Sequence, residues 1–88
     1  LLCNHPNPFN PITSIGYSLP MGGRVRLTVF NLLGQVVKNL VDETQTAGQY
    51  SARWDGRDSF GRKVASGVYI YRLETKKFSA TSKMLLLK

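Results

Sequence analysis

Three of the four prolines in this 88-residue chain fall in one run, Pro6-Asn7-Pro8-Phe9-Asn10-Pro11. Each proline fixes φ and removes a backbone donor, and each pushes the residue before it towards extended geometry. A run this dense excludes helix and excludes the middle of a sheet. Residues 1–11 are therefore expected to form a stiff linker that leads into the fold, with Phe9 as the aromatic that pins it down. Pro8 and Phe9 are structural residues in this reading, and residues 12–88 form the domain.

Beyond Pro11 the chain reads as short strands and turns. Ile15, Tyr17 and Leu19 alternate with Ser14, Gly16 and Ser18, which predicts a strand over 12–19. Val25, Leu27 and Val29 alternate with Arg24, Arg26 and Thr28, the period-two pattern of a strand with one face buried. Phe30 falls on the arginine-bearing face. Asn31 to Gln35 is a tight turn with Gly34 at the left-handed position. Gln35 to Val41 returns as a strand, and Asp42 to Gly48 is a polar loop. Tyr50, Ala52 and Trp54 share one face of the next strand, and Asp55 to Gly67 is a long loop. Val68 to Thr75 is apolar on both faces, which predicts a strand covered on both sides. Phe78 to Lys88 is the last strand. About seven strands at this spacing predict an all-β, immunoglobulin-like antiparallel β-sandwich, without the Cys–Trp–Cys pattern of true immunoglobulin domains.

Composition narrows the function. Charged residues are 19% of the chain and hydrophobic residues 42%, the balance of a folded domain with one thin core. The net charge is +7, and the basic residues are dispersed rather than clustered. A dispersed surplus reads first as solvated strand faces and next as affinity for an anionic partner, such as a lipopolysaccharide-bearing surface or acidic protein loops. No recognition helix or RNA-binding motif accompanies the charge, so nucleic acid is not expected as a partner. The single cysteine, Cys3, permits no internal disulfide. Met84 to Leu87 is among the longest apolar runs, far short of the roughly 20 residues of a membrane-spanning helix. No signal-peptide pattern opens the chain, so an exported parent would carry its signal upstream.

Candidate chemistry is sparse. The only histidine, His5, lies in the linker, so a serine nucleophile in the domain has no histidine base, and no enzyme activity or cofactor is expected. Trp54-Asp55-Gly56-Arg57-Asp58 allows two readings. Asp55 and Asp58 could supply oxygen ligands to calcium, or they could satisfy backbone N–H groups in Asx turns. Arg57, Arg62 and Lys63 beside them favour the second. Trp54, Tyr50, Tyr69 and Tyr71 could form a sugar-binding platform, although strand spacing favours core packing. Lys83-Met84-Leu85-Leu86-Leu87-Lys88 is a terminal strand with at least one open face or edge, suited to recognition by a partner through backbone pairing.

Taken in order, these motifs resemble a known family. The proline run followed by Ile15-Gly16-Tyr17-Ser18-Leu19-Pro20, then Val29 to Val37, Trp54-Asp55-Gly56-Arg57-Asp58, Gly61, Val64 to Tyr69 and the lysine-bracketed tail, resemble the type A C-terminal sorting domains of the type IX (Por) secretion system. The resemblance spans residues 2–88. It implies a β-sandwich, with Trp54, Asp55 and Gly56 as structural residues, that directs a larger upstream cargo across the outer membrane of a Gram-negative bacterium. The implied partners are an outer-membrane translocon and shuttle and a sortase-like peptidase. The implied recognition residues are Gly67, Val68, Tyr69, Lys83, Met84, Leu85, Leu86, Leu87 and Lys88. Trp54-Asp55-Gly56 and Gly67-Val68-Tyr69 are also similar to the immunoglobulin-like domain of flagellar hook-capping proteins. A second function class thus stays open: an accessory binding or spacer module, for carbohydrate or protein, on a secreted or cell-surface enzyme.

Overall fold

Period-two alternation becomes strand in the computed structural model, which describes residues 2–87. Among the described residues there are seven strands: β1 (Leu2–His5), β2 (Thr13–Leu19), β3 (Gly23–Phe30), β4 (Val36–Gln45), β5 (Gly48–Trp54), β6 (Gly67–Glu74) and β7 (Ser79–Leu86). They form two antiparallel sheets with strand orders β1-β2-β5 and β4-β3-β6-β7. The architecture is the immunoglobulin-like sandwich that the strand spacing predicts.

The inward residues of both sheets make one core. Ile15, Tyr17 and Leu19 of β2 face Val25, Leu27 and Val29 of β3 and Tyr69, Tyr71 and Leu73 of β6, all nearly inaccessible to water. Each buried aliphatic side chain of this size contributes about 1.5–3 kcal/mol relative to exposure. Buried hydroxyls have partners. Tyr17 Oη donates to Gln45 Oε1 (2.8 Å), Tyr69 Oη to the Ala65 carbonyl (2.6 Å) and Tyr71 Oη to Asn4 Oδ1 (2.9 Å).

Four expectations change. Leu2–His5 is a strand rather than linker, paired with β2 from Leu2↔Tyr17 to His5↔Ser14. It stops where Pro6 can no longer donate to a ladder. β4 runs on to Gln45, so the polar stretch from Asp42 is largely strand and not loop. As an edge strand it needs only one partner, β3, whose Gly23 pairs with Gln45, and its polar side chains go to solvent. One of them, Asp42, takes an ion pair from Arg24 at 2.7 Å. β6 is covered on its inner face only. Val68 and Ile70 on the outer face are half-buried, and Arg72 there is exposed. Last, β7 ends at Leu86, and Lys88 lies outside the described residues.

Register shifts in the β3–β4 ladder fall between Leu27 and Thr28 and between Val29 and Phe30. They accompany a buried Thr28, whose hydroxyl donates to Asn39 Oδ1 (2.7 Å), and they leave Val36 on the outer face and Val37 inside.

Candidate functional site

The two ends of the sandwich differ. One carries the short connections between β2 and β3, β4 and β5, and β6 and β7. The other gathers the proline segment, the β3–β4 turn, the long β5–β6 loop and the C-terminal end of β7. Every residue singled out by sequence as structural or recognition-bearing belongs to the second end or to the strands that reach it, with Lys88 outside the described residues.

Proline denies the segment a ladder of its own, but Phe9 keeps both backbone groups. Its N–H donates to the Leu85 carbonyl (3.0 Å) and its carbonyl accepts from Leu87 N–H (2.9 Å), a parallel bridge to Leu86. Asn7 Oδ1 accepts from Leu85 N–H at 3.0 Å. The outer edge of the tail, expected to be open, is therefore closed at Leu85 and Leu87 by the incoming chain. Among the described residues the open stretch of this edge is Ser79 to Lys83.

The Phe9 ring is buried and meets Trp54 at 5.7 Å between centroids. Trp54 in turn meets Tyr69 edge-on at 5.2 Å. The indole N–H donates to the Arg57 carbonyl at 2.9 Å. Gly56, which follows at φ +75°, lets the backbone pass close to its neighbours: a Cβ there would stand 3.4 Å from the Pro11 carbonyl oxygen and 3.6 Å from Leu86 Cδ2. Proline segment, tryptophan loop and tail are thus one packed unit. The sugar-platform reading fails on this geometry, since Trp54, Tyr69 and Tyr71 are core and Tyr50 is half-buried, stacked on Tyr17 at 5.5 Å.

The recognition set divides by face. Gly67 pairs with Leu86, Val68 with Leu85 and Tyr69 with Met84, so its two halves are adjacent strands. Tyr69, Met84 and Leu86 are buried, Val68 and Leu85 are half-buried on the outer face, and Lys83 and Leu87 are exposed.

The acidic loop is internally satisfied. Asp58 Oδ1 accepts from the N–H groups of Phe60 (2.9 Å) and Arg62 (3.0 Å), while Oδ2 faces Arg62 Nε at 3.3 Å. The Arg62 N–H bond is the chief cause that holds the Asp58 carboxyl below its ordinary range. Asp55 Oδ1 accepts from Arg57 N–H at 3.2 Å. No three His, Cys, Asp or Glu side chains converge among the described residues, and both aspartates act as Asx-turn acceptors. Gly34, at φ +82°, closes the β3–β4 turn, where Asn31 Oδ1 accepts from the N–H groups of Leu33 and Gln35.

Two residues the sequence reading did not select hold this end together. Asn7 caps Leu85, and Asn4 joins the sheets by accepting from Tyr71 Oη and donating to the Pro6 carbonyl (3.3 Å). An asparagine close to a proline turn is the available signal, since its short amide reaches local backbone groups.

Comparison with known proteins follows the same division. Residues 13–79 match the FlgD Ig-like domain family. No curated protein matches the chain in sequence. Among solved structures, FlgD of P. aeruginosa is 28% identical over 84% of this chain and 57% of its own, with a TM-score of 0.66. Dimeric latent PorU of Porphyromonas gingivalis is 16% identical, with a TM-score of 0.75 over 98% of this chain and 9% of its own. PorZ of P. gingivalis, an essential surface component of the type IX secretion system, is 19% identical, with a TM-score of 0.64 over 99% of this chain and 11% of its own. The PorU and PorZ likenesses are likenesses of fold. The chain spans about a tenth of PorU and of PorZ and just over half of FlgD.

Proposed function

We propose that the chain, a member of the FlgD Ig-like domain family, works as a non-catalytic sorting domain. In this reading it directs a larger cargo, upstream in the same chain, across the outer membrane through the type IX secretion system. Its partners are the outer-membrane translocon, its shuttle and a sortase-like peptidase. The cargo reaches the cell surface or the medium by way of the periplasm of a Gram-negative bacterium.

One observation carries the reading. The segments on either side of the FlgD-like match at 13–79 are built into each other, Phe9 to Leu85 and Leu87. The PorU and PorZ likenesses span 98% and 99% of the chain, whereas that to FlgD spans 84%. Those same segments carry the proline run and the lysine-bracketed tail on which the sorting-domain resemblance rests. No helix among the described residues is long and apolar enough to cross a membrane.

The tail offers two sets of side chains with separate tasks. Met84 and Leu86 anchor it in the core, while Lys83, Leu85 and Leu87 face outward for a partner. Removing residues 83–88 would confound the two by opening the core. The sharper test exports a reporter fused to residues 1–88 and changes only outward groups, Lys83→Ala with Leu87→Ser. A fall in surface reporter with an unchanged melting temperature is expected. Undiminished export by this folded variant would overturn the assignment of the tail.

The family match itself favours a second reading, an accessory or spacer module. It predicts that fusing the chain to a reporter leaves the reporter in the periplasm, whatever the state of the tail.

A further inference from the structure

Leu32, Leu33, Val36 and Phe60 are 67%, 83%, 60% and 82% exposed and stand at the same end of the sandwich. The β3–β4 turn and the β5–β6 loop bring them together. Ser59 donates both its N–H (3.0 Å) and its hydroxyl (3.1 Å) to the Val37 carbonyl, which ties the loop to the start of β4. Between Val36 and Phe60 lies a shallow cavity of about 550 Å³ whose lining is mixed: Val37, Val64 and Tyr69 with Asn31, Gln35, Asp58, Ser59 and Arg62, while Leu32 and Leu33 stand outside it on the turn. The Arg62 guanidinium sits 5.1 Å from the centre of the Phe60 ring. Scattered exposed leucines need no explanation, but four large apolar side chains exposed on two tied loops beside a cavity with polar groups mark a contact site.

Folding also biases the charge that is dispersed along the sequence towards this end. In this half of the molecule Asp55 and Asp58 are held by Arg57 and Arg62 of their own loop. Lys38, Arg53, Lys63 and Lys83 have no carboxylate within ion-pair distance among the described residues. In the other half Arg24 is paired with Asp42, Glu74 lies in register with Arg26, and, among the described residues, Arg72, Lys76 and Lys77 add unpaired charge. Among the described residues, six cations (Lys38, Arg53, Arg57, Arg62, Lys63, Lys83) against two carboxylates leave +4 at the apolar end, and five cations (Arg24, Arg26, Arg72, Lys76, Lys77) against three carboxylates leave +2 at the other.

We propose that this end docks an acidic protein segment that carries apolar side chains. Its aliphatic or aromatic groups pack on Val36 and Phe60 at the cavity rim, and its carboxylates meet Lys63, Lys38 and Arg53, while Arg62 stays on Asp58. An anionic polysaccharide would satisfy the cations but leave Leu32, Leu33 and Phe60 in water, so a peptide fits the surface better. The inference goes beyond the sorting reading and holds whichever parent protein carries the domain.

The test titrates the isotopically labelled 88-residue chain with four probes: an alternating Glu-Leu peptide, an alternating Lys-Leu peptide, poly-glutamate and a soluble anionic polysaccharide. The Glu-Leu peptide is expected to shift the amide resonances of Leu32 to Val36 and Ser59 to Lys63. Its affinity should fall about tenfold in the Leu33→Ser/Phe60→Ser variant and also in the Arg53→Glu/Lys63→Glu variant. Leu33→Ser alone replaces the first pair if the melting temperature of that pair drops. Absence of shifts, shifts at the opposite end, equal response to poly-glutamate or the polysaccharide, or unaltered affinity in the folded variants would overturn the proposal.

Discussion

Phe9 forms a parallel bridge with Leu86, so residues near the two extremes of the chain are direct backbone neighbours. The bridge explains why a segment that cannot join a ladder is nonetheless fixed. One non-proline residue supplies a donor and an acceptor, and its ring fills the space beside Trp54.

Phe9→Ala removes that ring while leaving the backbone bonds possible. Loss of a buried phenylalanine costs about 3–5 kcal/mol, a large part of the roughly 5–15 kcal/mol that holds a small domain. The expected result is a strongly lowered melting temperature, with faster hydrogen exchange at the amides of Leu85 and Leu87 than at those of β3. Slow exchange at both amides in a folded variant would show that the ring does not hold the clamp.

Trp54 is enclosed by Phe9 and Tyr69 and bonded to the Arg57 carbonyl. Trp54→Ala is expected to destabilise by about 3–5 kcal/mol. Trp54→Phe keeps much of the packing but orphans the Arg57 carbonyl, so a smaller loss is expected, in which the hydrogen bond accounts for about 1 kcal/mol. Glycans should leave the Trp54 emission unchanged, and a saturable shift would restore the platform reading.

Gly34 and Gly56 share a positive φ but not their surroundings. A Cβ at Gly34 meets open space, whereas one at Gly56 meets the Pro11 carbonyl and Leu86. Gly34→Ala should therefore cost only the left-handed backbone penalty, about 1–2 kcal/mol, and Gly56→Ala more. Denaturant midpoints measure the order, and equal losses would mean that the Pro11–Leu86 contact yields freely.

Titration should act on this fold from both sides. Hydrogen bonds from Arg62 N–H lower the Asp58 pKa in the folded chain. Its contribution is present above the ordinary carboxylate value of about 4 and is lost as pH falls through the folded value. The β5–β6 loop should loosen first in acid, seen as faster exchange at Phe60 and Arg62. Burial raises the Tyr17, Tyr69 and Tyr71 hydroxyls above 10.0. Their contribution is full below about pH 10 and falls as pH rises through the folded values, because the unfolded chain ionises first. Alkaline unfolding accompanied by tyrosinate absorbance checks it; ionisation of all tyrosines without unfolding would contradict it.

How much of this was legible in sequence follows from the physics of each element. β2, β3 and β6 carry unbroken alternation with large inward residues, and one face of each could be read directly. β1 could not, because it has four residues and its alternating positions are only half-buried. The second half of β4 is polar because it is an edge, and a polar edge looks like a loop until its partner is known. At the candidate site, Phe9, Trp54 and Gly56 stood out by residue type. The closure of the tail by Phe9 and Asn7 did not, because a contact between such distant positions leaves no local pattern. The bias of charge was hidden for the same reason: which lysines and arginines keep a carboxylate beside them is decided only by folding.

The bond from Leu85 N–H to Asn7 joins residues 78 positions apart, and it has a meaning in time as well as in space. A loop that long is among the costliest for a chain of this size to close, and the cost drops once shorter pairings have formed between its ends. An early segment of the domain thus has its backbone partner in a late one, and the fold is sealed only when residues 85–87 are free to move. A product cut short before them would leave Phe9 without its bonds and a flank of Trp54 uncovered. The packing of Trp54 thus depends on the arrival of residues 85–87.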